Sequence, residues 1–277
     1  MPEGPEIQSI VTDLKKLIIG RQILDLVTNN YTRRLFGKAD IDVIRRQIRG
    51  ATIINVTRIG KNIVIRLINN IYLVVHLRMT GQIFLRKEIP KFCRLTIKLD
   101  QEDNLYLADM RTFATCEIFN ADEMLDFEKK KKIGVDALSP AFSINDLKQA
   151  LRSKRKISVI LLDQAKISGL GNIYVNESLF LAKIHPLRKA NSLSNNEIQR
   201  LYKAIKTVLT KAIKHHGTTF SDYRLPGGEM GSYQKHLNVF RRKGKACKKC
   251  RTEIRREKLS GRSVFYCPKC QNFNSLN

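Results

Sequence analysis

The sequence has no apolar run of the roughly 18 to 20 residues that a bilayer-spanning helix needs, so no segment of it reads as a membrane anchor. Its N-terminus, MPEGPEIQSI, lacks the cationic stretch and following apolar core of a secretory leader. An intracellular protein is expected. Acidic residues are scarce: 25 Asp and Glu stand against 51 Lys and Arg, a formal net charge of +26 with a sequence pI near 10.1. Self-repulsion on that scale destabilises a compact chain unless a polyanion neutralises it, which makes nucleic acid the leading partner over an anionic membrane surface. The chain also has no internal repeat and no low-complexity tract, which excludes a solenoid.

Cysteine is limited to six residues, and four of them fall into two tight pairs near the C-terminus. A secreted disulfide scaffold would spread its cysteines through a small chain. Here Cys247-Lys-Lys-Cys250, sixteen intervening residues and Cys267-Pro-Lys-Cys270 give the two-knuckle spacing that supplies four thiolates to one tetrahedral zinc; a redox or disulfide role is the alternative. Four thiolates leave no open coordination position, so one structural Zn2+ per chain is expected to fold the segment and take no part in chemistry. Glu253 to Lys258 and Arg262 to Tyr266 read as two strands joined at Leu259-Ser260-Gly261, a hairpin finger. Residues 235 to 262 hold twelve Lys and Arg against two acids, so the finger directs positive charge at phosphates. A zinc ribbon that binds RNA or protein would look much the same. Cys93 and Cys116 stand alone among strand-like residues and read as small buried hydrophobes.

At 277 residues and 43% hydrophobic, the chain has room for one large domain or two ordinary ones. Ile7, Ile10, Val11, Leu14, Leu17 and Ile18 form a helical stripe that Gly20 stops. From Gln22 to about Phe119 the pattern becomes short β-branched runs, ATIINVT, NIVIRL, IYLVVHL, RLTIKL, NLYLAD and ATCEIF, as in an antiparallel sandwich or barrel. Residues 121 to 140, with Lys129 to Lys132 in a row, read as a solvated linker. Beyond it Ser143 with Asp146 and Ser194 with Glu197 have capping-box spacing, and the second of these precedes a stripe running from Ile198 to Ala212. Strands come first, helices second and a metal-bearing β element last.

Four segments in this order resemble the formamidopyrimidine-DNA glycosylase and endonuclease VIII family: MPEGPEI, GLGNIYVNESLFLAKIHP at 169–186, HHGTTFSDYRLPGGEMGSYQ at 215–234, and the terminal cysteine finger. The resemblance spans nearly the whole chain. It implies an α+β multidomain protein: an N-terminal catalytic β-sandwich with flanking helices (1–137), a helical helix-two-turn-helix DNA-binding domain (138–237) and a C-terminal zinc-finger β-hairpin (238–277). It further implies damaged double-stranded DNA as the partner, bound in the cleft between domains, with no organic cofactor; a monomer is expected.

On the residues alone, Pro-Glu-Gly-Pro-Glu is a good helix start, with acids complementing the dipole. The resemblance gives it a chemical use. Removal of Met1 leaves Pro2 as a secondary amine whose attack on the sugar C1′ yields an iminium, a strong electron sink that makes β- and δ-elimination of the flanking phosphates easy. Glu3 is then the adjacent carboxylate that protonates the opening sugar ring, and Glu6, one turn on, is a supporting group. Lys61, in RIGKNIVI, resembles the family's hairpin lysine, and Arg262, at the finger's turn, resembles the arginine that clamps the phosphates beside the lesion.

Chemistry at C1′ requires the nucleotide to leave the stack and something to fill the gap. Met79 in HLRMTG, with Arg111 and Phe113 in DMRTFA, match the family's plug, while core positions on strands are the plainer reading of the Met and Phe. Asn172 resembles the family's phosphate-binding asparagine, and Lys154, in RSKRK, is a further backbone contact. Thr218, Thr219, Ser221 and Tyr233 belong to a Gly-rich stretch that resembles the lid over a flipped purine, which points to 8-oxoguanine and formamidopyrimidines as substrates.

The chain also departs from the family pattern. Arg251 stands where a glycine is usual, DMRTFA replaces DPRRFG, and Phe92, Cys93 and Arg94 occupy the place of expected histidines. Gly4 is more typical of the branch that prefers oxidised pyrimidines, so that specificity is the alternative. The alternative of another class is a non-catalytic nucleic-acid-binding zinc-ribbon protein.

Overall fold

The computed structural model describes residues 2–29, 32–37 and 39–273. The chain divides into two compact units, Met1–Lys131 with His215–Gln234, and Lys132–Lys214 with Lys235–Asn277. The segment 215–234, which the sequence reading places in the helical module, therefore groups by contact with the strand-rich unit.

The first unit begins with α1 (Gly4–Ile18), whose apolar stripe from Ile7 to Ile18 is buried and whose start carries Pro5 in the first turn. Eight strands follow: β1 (Ile23–Thr28), β2 (Ile53–Ile59), β3 (Asn62–Leu67), β4 (Tyr72–His76), β5 (Gly81–Arg86), β6 (Cys93–Leu99), β7 (Asn104–Asp109) and β8 (Thr115–Phe119). They form two antiparallel four-stranded sheets, ordered β1-β6-β7-β5 and β2-β3-β4-β8. Inward residues of both sheets, among them Leu26, Ile65, Leu73, Leu95 and Leu107, share one core with the α1 stripe. The β-branched runs left a sandwich or a barrel open, and the sandwich is what forms, as the family resemblance implies. The core also takes in Tyr223 and Leu225, which fasten the 215–234 segment to it.

Two features depart from the sequence reading. Between β1 and β2 the chain forms α2 (Thr32–Phe36) and α3 (Ile41–Ile48) where strand was expected. Asp40 caps α3 by accepting the Asp42 amide, and Ile44 and Ile48 are buried on one face, a helical spacing too short to stand out among β-branched runs. The expected linker also begins with α4 (Ala121–Leu125) and α5 (Phe127–Lys130). Phe127 is buried edge-on against Phe119, 5.2 Å between ring centroids, and this contact anchors the segment while Lys129 to Lys132 stay exposed.

The second unit is helical. A short parallel pair, β9 (Val135–Asp136) and β10 (Ile167–Ser168), accompanies α6 (Ile144–Ala150), α7 (Ile157–Leu161), α8 (Asn172–Leu181) and α9 (Asn195–Lys214). Both capping boxes form: Ser143 with Asp146 on α6, and Ser194 with Glu197 on α9. Residues 173–180 of α8 are all buried, as a helix without a polar face must be. The unit ends in a hairpin of β11 (Arg255–Leu259) and β12 (Arg262–Tyr266). Ser260 and Gly261 both have positive φ, 47° and 76°, which a two-residue turn of type I′ requires.

Candidate active site and nucleic-acid interface

In the first unit the candidate chemistry gathers at the start of α1. Pro2 is buried, and Glu3 and Glu6 are 3% and 1% exposed. Buried carboxylates need donors, and the helix start supplies one to Glu6, whose Oε2 accepts the Glu3 amide at 2.8 Å. The other oxygen of Glu6 accepts the Thr218 amide at 2.6 Å, which ties the helix start to the 215–234 loop. That approach depends on Gly217, whose φ is +76° and whose hypothetical Cβ would lie 2.6 Å from Glu6 Oε1. Glu6 thus does more than support Glu3. A helix-start carboxylate pair was visible in the sequence; its partner on a loop 212 residues away was not.

The loop is internally laced. Tyr223 donates its hydroxyl to the His216 carbonyl at 2.9 Å, and burial, followed by the Glu6 charge, pushes its pKa up. Thr219 donates to the Tyr223 carbonyl at 3.1 Å and accepts the Gly231 amide at 3.0 Å. Tyr233, also buried, donates its amide to the Gly217 carbonyl at 3.0 Å. Of the four residues expected to form a lid, Thr218, Thr219 and Tyr233 therefore fasten the loop, and Ser221 lies exposed beside the exposed Phe220. The loop is pinned to β5 by the Leu85 amide on the Pro226 carbonyl at 3.0 Å and by Gln82 on the Asp222 carbonyl.

Lys61 occupies the second central position of the β2–β3 turn, with Gly60 at φ +57° in the first, as a type II′ turn requires. This hairpin is attached to α1 by Arg58, whose Nε donates to Gln8 Oε1 at 3.0 Å and whose Nη1 closes the turn on the Gly60 carbonyl at 2.7 Å. At the end of β4, His76 accepts the Arg78 amide on Nδ1 at 3.0 Å. Burial, then the charges of Arg78 and Lys61, lowers its pKa to about 4, so it is neutral near pH 7.

Met79, Arg111 and Phe113 come together although they lie on two separate turns. Arg111 Nη1 is 3.5 Å from Met79 Sδ, and its guanidinium lies 4.6 Å from the centre of the Phe113 ring. Met79 and Phe113 are 43% and 49% exposed, which core residues on strands would not be. Three of the departures from the family pattern lie close by. Phe92 is half exposed at φ +60°, Cys93 packs beside Phe84, Tyr106 and Ala108, and Arg94 is buried with Nε on the Asp109 carbonyl at 2.8 Å. Cys116 is fully buried, its thiol pushed up to about 12 by that burial.

In the second unit, Asn172 opens α8 and donates Nδ2 to the Ser263 carbonyl at 3.0 Å, next to Arg262. Arg262 stands exposed where the β11–β12 turn ends. Arg262, Ser260, Arg155, Ser158 and Asp163 line one cavity of about 310 Å³, and Lys154 lies exposed beside Arg155. Three of the expected phosphate contacts thus share a region of this unit. Glu177, fully buried on α8, was not singled out in the sequence: it accepts the amides of Asn238, Val239 and Phe240, all near 2.9 Å, and so holds the turn that leads into the finger.

The four finger cysteines fit a zinc ion. Their sulfurs lie within 4.8 Å of one another, with separations of 3.4 Å for Cys250–Cys267 and Cys250–Cys270 and 3.9 Å for Cys247–Cys270. Zinc–sulfur bonds of about 2.3 Å in a tetrahedron require roughly 3.8 Å between sulfurs. Amides of Lys249 and Cys270 point at Cys247 and Cys267 Sγ, both at 3.4 Å, as knuckle turns do when they stabilise thiolates.

Three family models match the chain: the formamidopyrimidine-DNA glycosylase N-terminal domain at residues 1–116, the formamidopyrimidine-DNA glycosylase H2TH domain at 133–224, and a zinc finger found in FPG and IleRS at 244–272. A formamidopyrimidine-DNA glycosylase of Desulforamulus reducens is 38% identical over 276 residues, 98% of this chain and 99% of the relative. The structure of Lactococcus lactis Fpg in complex with DNA containing an abasic site superposes with a TM-score of 0.89 at 33% identity, covering 98% of this chain and all of that one. A structure of MutM with DNA containing carbocyclic 8-oxo-G superposes equally well, TM-score 0.89 at 34% identity and the same coverage.

Proposed function

Because the chain belongs to the formamidopyrimidine-DNA glycosylase family, we propose that it excises 8-oxoguanine and formamidopyrimidines from duplex DNA and then cuts the strand, with the amine of Pro2 as nucleophile. The observation that carries this reading is the buried start of α1, where Pro2 and Glu3 are held to a recognition loop through Glu6. Such a position excludes water and fixes the amine where a sugar carbon can be brought to it.

With Met1 removed, the Pro2 nitrogen forms a bond to C1′, and the glycosidic electron pair leaves with the base, which takes up a proton. Glu3 protonates the ring oxygen as the sugar opens to the iminium. A water molecule takes up a C2′ proton while the C–H electron pair passes into the iminium, and return of those electrons breaks the C3′–O bond and expels the 3′ phosphate; a second elimination of the same kind expels the 5′ phosphate, and hydrolysis of the iminium then releases Pro2. Lys61 offsets phosphate charge on the sandwich side, and Asn172, Lys154 and Arg262 hold the backbone on the other unit. Met79, Arg111 and Phe113 fill the space vacated by the everted nucleotide, with Arg111 able to hydrogen-bond an orphaned cytosine.

In the loop, Thr218, Thr219 and Tyr233 set the shape, and the exposed tip around Ser221 meets the everted purine. Cys247, Cys250, Cys267 and Cys270 hold the zinc, which supplies folding energy to the hairpin that presents Arg262. A DNA substrate places the protein inside the cell, with the chromosome.

Competition between matched duplexes tests the lesion assignment. Excision of 8-oxoguanine paired with cytosine is expected to outpace that of thymine glycol; the reverse order would move the chain to the pyrimidine-specific branch.

A further inference from the structure

Asp109, the last residue of β7, is 1% exposed, and its carboxylate is where the two plug-bearing turns meet. Oδ1 accepts the Thr80 hydroxyl and, at 3.1 Å, the Arg111 amide. Oδ2 accepts the amides of Phe113 at 2.6 Å and Ala114 at 2.7 Å. Its own backbone is fixed on both sides, the amide on the Phe92 carbonyl at 3.0 Å and the carbonyl on Arg94 Nε at 2.8 Å. Thr80 directly follows Met79, and Thr112, between Arg111 and Phe113, is held at φ +56°, a conformation a β-branched residue adopts only when its surroundings impose it.

We infer that Asp109 is a positioning residue for base eversion: one buried carboxylate closes both turns, so that Met79, Arg111 and Phe113 form a single preassembled unit. The inference rests on the reading of those three side chains as the plug. Asp109 is too buried to touch DNA and acts only through them. Its four donors converge on two oxygens, an arrangement that only a carboxylate satisfies. In Asp109→Asn the amide group must face two N–H donors or the Thr80–Arg111 pair, leaving buried donors without an acceptor. The two turns then lose their common anchor, and the three side chains must be ordered anew on each insertion.

Preassembly matters most where a stacked base has to be extracted, and least at a site that already lacks its base. Three variants, Asp109→Asn, Thr80→Val and Phe113→Ala, are compared in three assays: single-turnover excision of 8-oxoguanine, cleavage at a preformed abasic site, and fluorescence of 2-aminopurine opposite a tetrahydrofuran site. For Asp109→Asn the ratio of excision to abasic-site cleavage is expected to fall about tenfold, since small misplacements near reacting groups carry penalties of this order, and the fluorescence rise on binding to shrink. Equal losses in both reactions, as from a general folding defect, would overturn the inference. Thr80→Val, which removes a single hydroxyl, is expected to shift the ratio in the same direction by about threefold. It decides the matter if Asp109→Asn does not fold, and an unchanged ratio overturns the inference. If Phe113→Ala changes neither ratio nor fluorescence, the plug reading itself fails. If Phe113→Ala changes both and Asp109→Asn changes neither, the plug stands and Asp109 has no part in it.

Discussion

Glu6 accepts the backbone amide of Thr218 at 2.6 Å, a contact spanning 212 residues of sequence. The carboxylate also holds the Glu3 amide, so one side chain sets the distance between the start of α1, proposed to carry the chemistry, and the loop proposed to meet the base. Glu6→Gln keeps the volume but turns an N–H toward one of the two donors. Base excision is expected to fall by about tenfold to a hundredfold, with duplex affinity changed much less, because no phosphate contact is lost. Single-turnover excision beside a gel-shift titration measures both, and an unaltered excision rate would remove Glu6 from the account.

Gly217 makes that contact possible. Gly217→Ala places a methyl group 2.6 Å from Glu6 Oε1 on a backbone at φ +76°. A destabilisation of about 1–3 kcal/mol is expected from the strained conformation alone, read as a lower unfolding midpoint. Gly228, whose φ is +101° and which has no atom near its hypothetical Cβ, is the control: its alanine variant suffers the strain without the clash and leaves excision closer to normal.

His76 predicts an acid-sensitive component of stability. Its folded pKa of about 4 lies below the 6.5 of an unfolded chain. Between these values the unfolded state takes up a proton that the folded state refuses. The contribution is therefore complete above pH 6.5 and is lost as pH falls toward 4, by up to about 3 kcal/mol. Denaturant midpoints measured across that interval are expected to fall less steeply for His76→Gln than for the parent; identical slopes would contradict the assignment.

The finger depends on metal. Metal analysis of purified protein is expected to give one zinc per chain, and Cys250→Ser to release it and to abolish strand cleavage while the sandwich core stays folded. Full cleavage by a zinc-free protein would show that the hairpin needs no metal to present Arg262.

How legible these features were depended on the range of the interaction behind each. The strands were readable because a short β-branched run between polar turns is a local signal, and the finger because its ligand spacing is fixed by one metal ion. The short helix Ile41–Ile48 was not, since two buried isoleucines among β-branched runs give no clear period. Thr218 and Thr219 were legible as part of a Gly-rich stretch resembling a lid, but not the use the loop makes of the Thr218 amide and the Thr219 hydroxyl to fasten itself. Asp109 and Glu177 carry no signal of their own: a carboxylate in a sequence does not reveal that three or four amides converge on it. Motif matching located Met79, Arg111 and Phe113, while only the fold places their common anchor beneath them.

The proposed reaction turns on the N-terminal amine of Pro2 forming the covalent link to the sugar. Borohydride reduction during reaction with a duplex carrying 8-oxoguanine opposite cytosine, followed by peptide mapping of the cross-linked protein, tests it directly. One adduct is expected, on the peptide beginning with Pro2. No adduct, or one on a lysine such as Lys61, would contradict it.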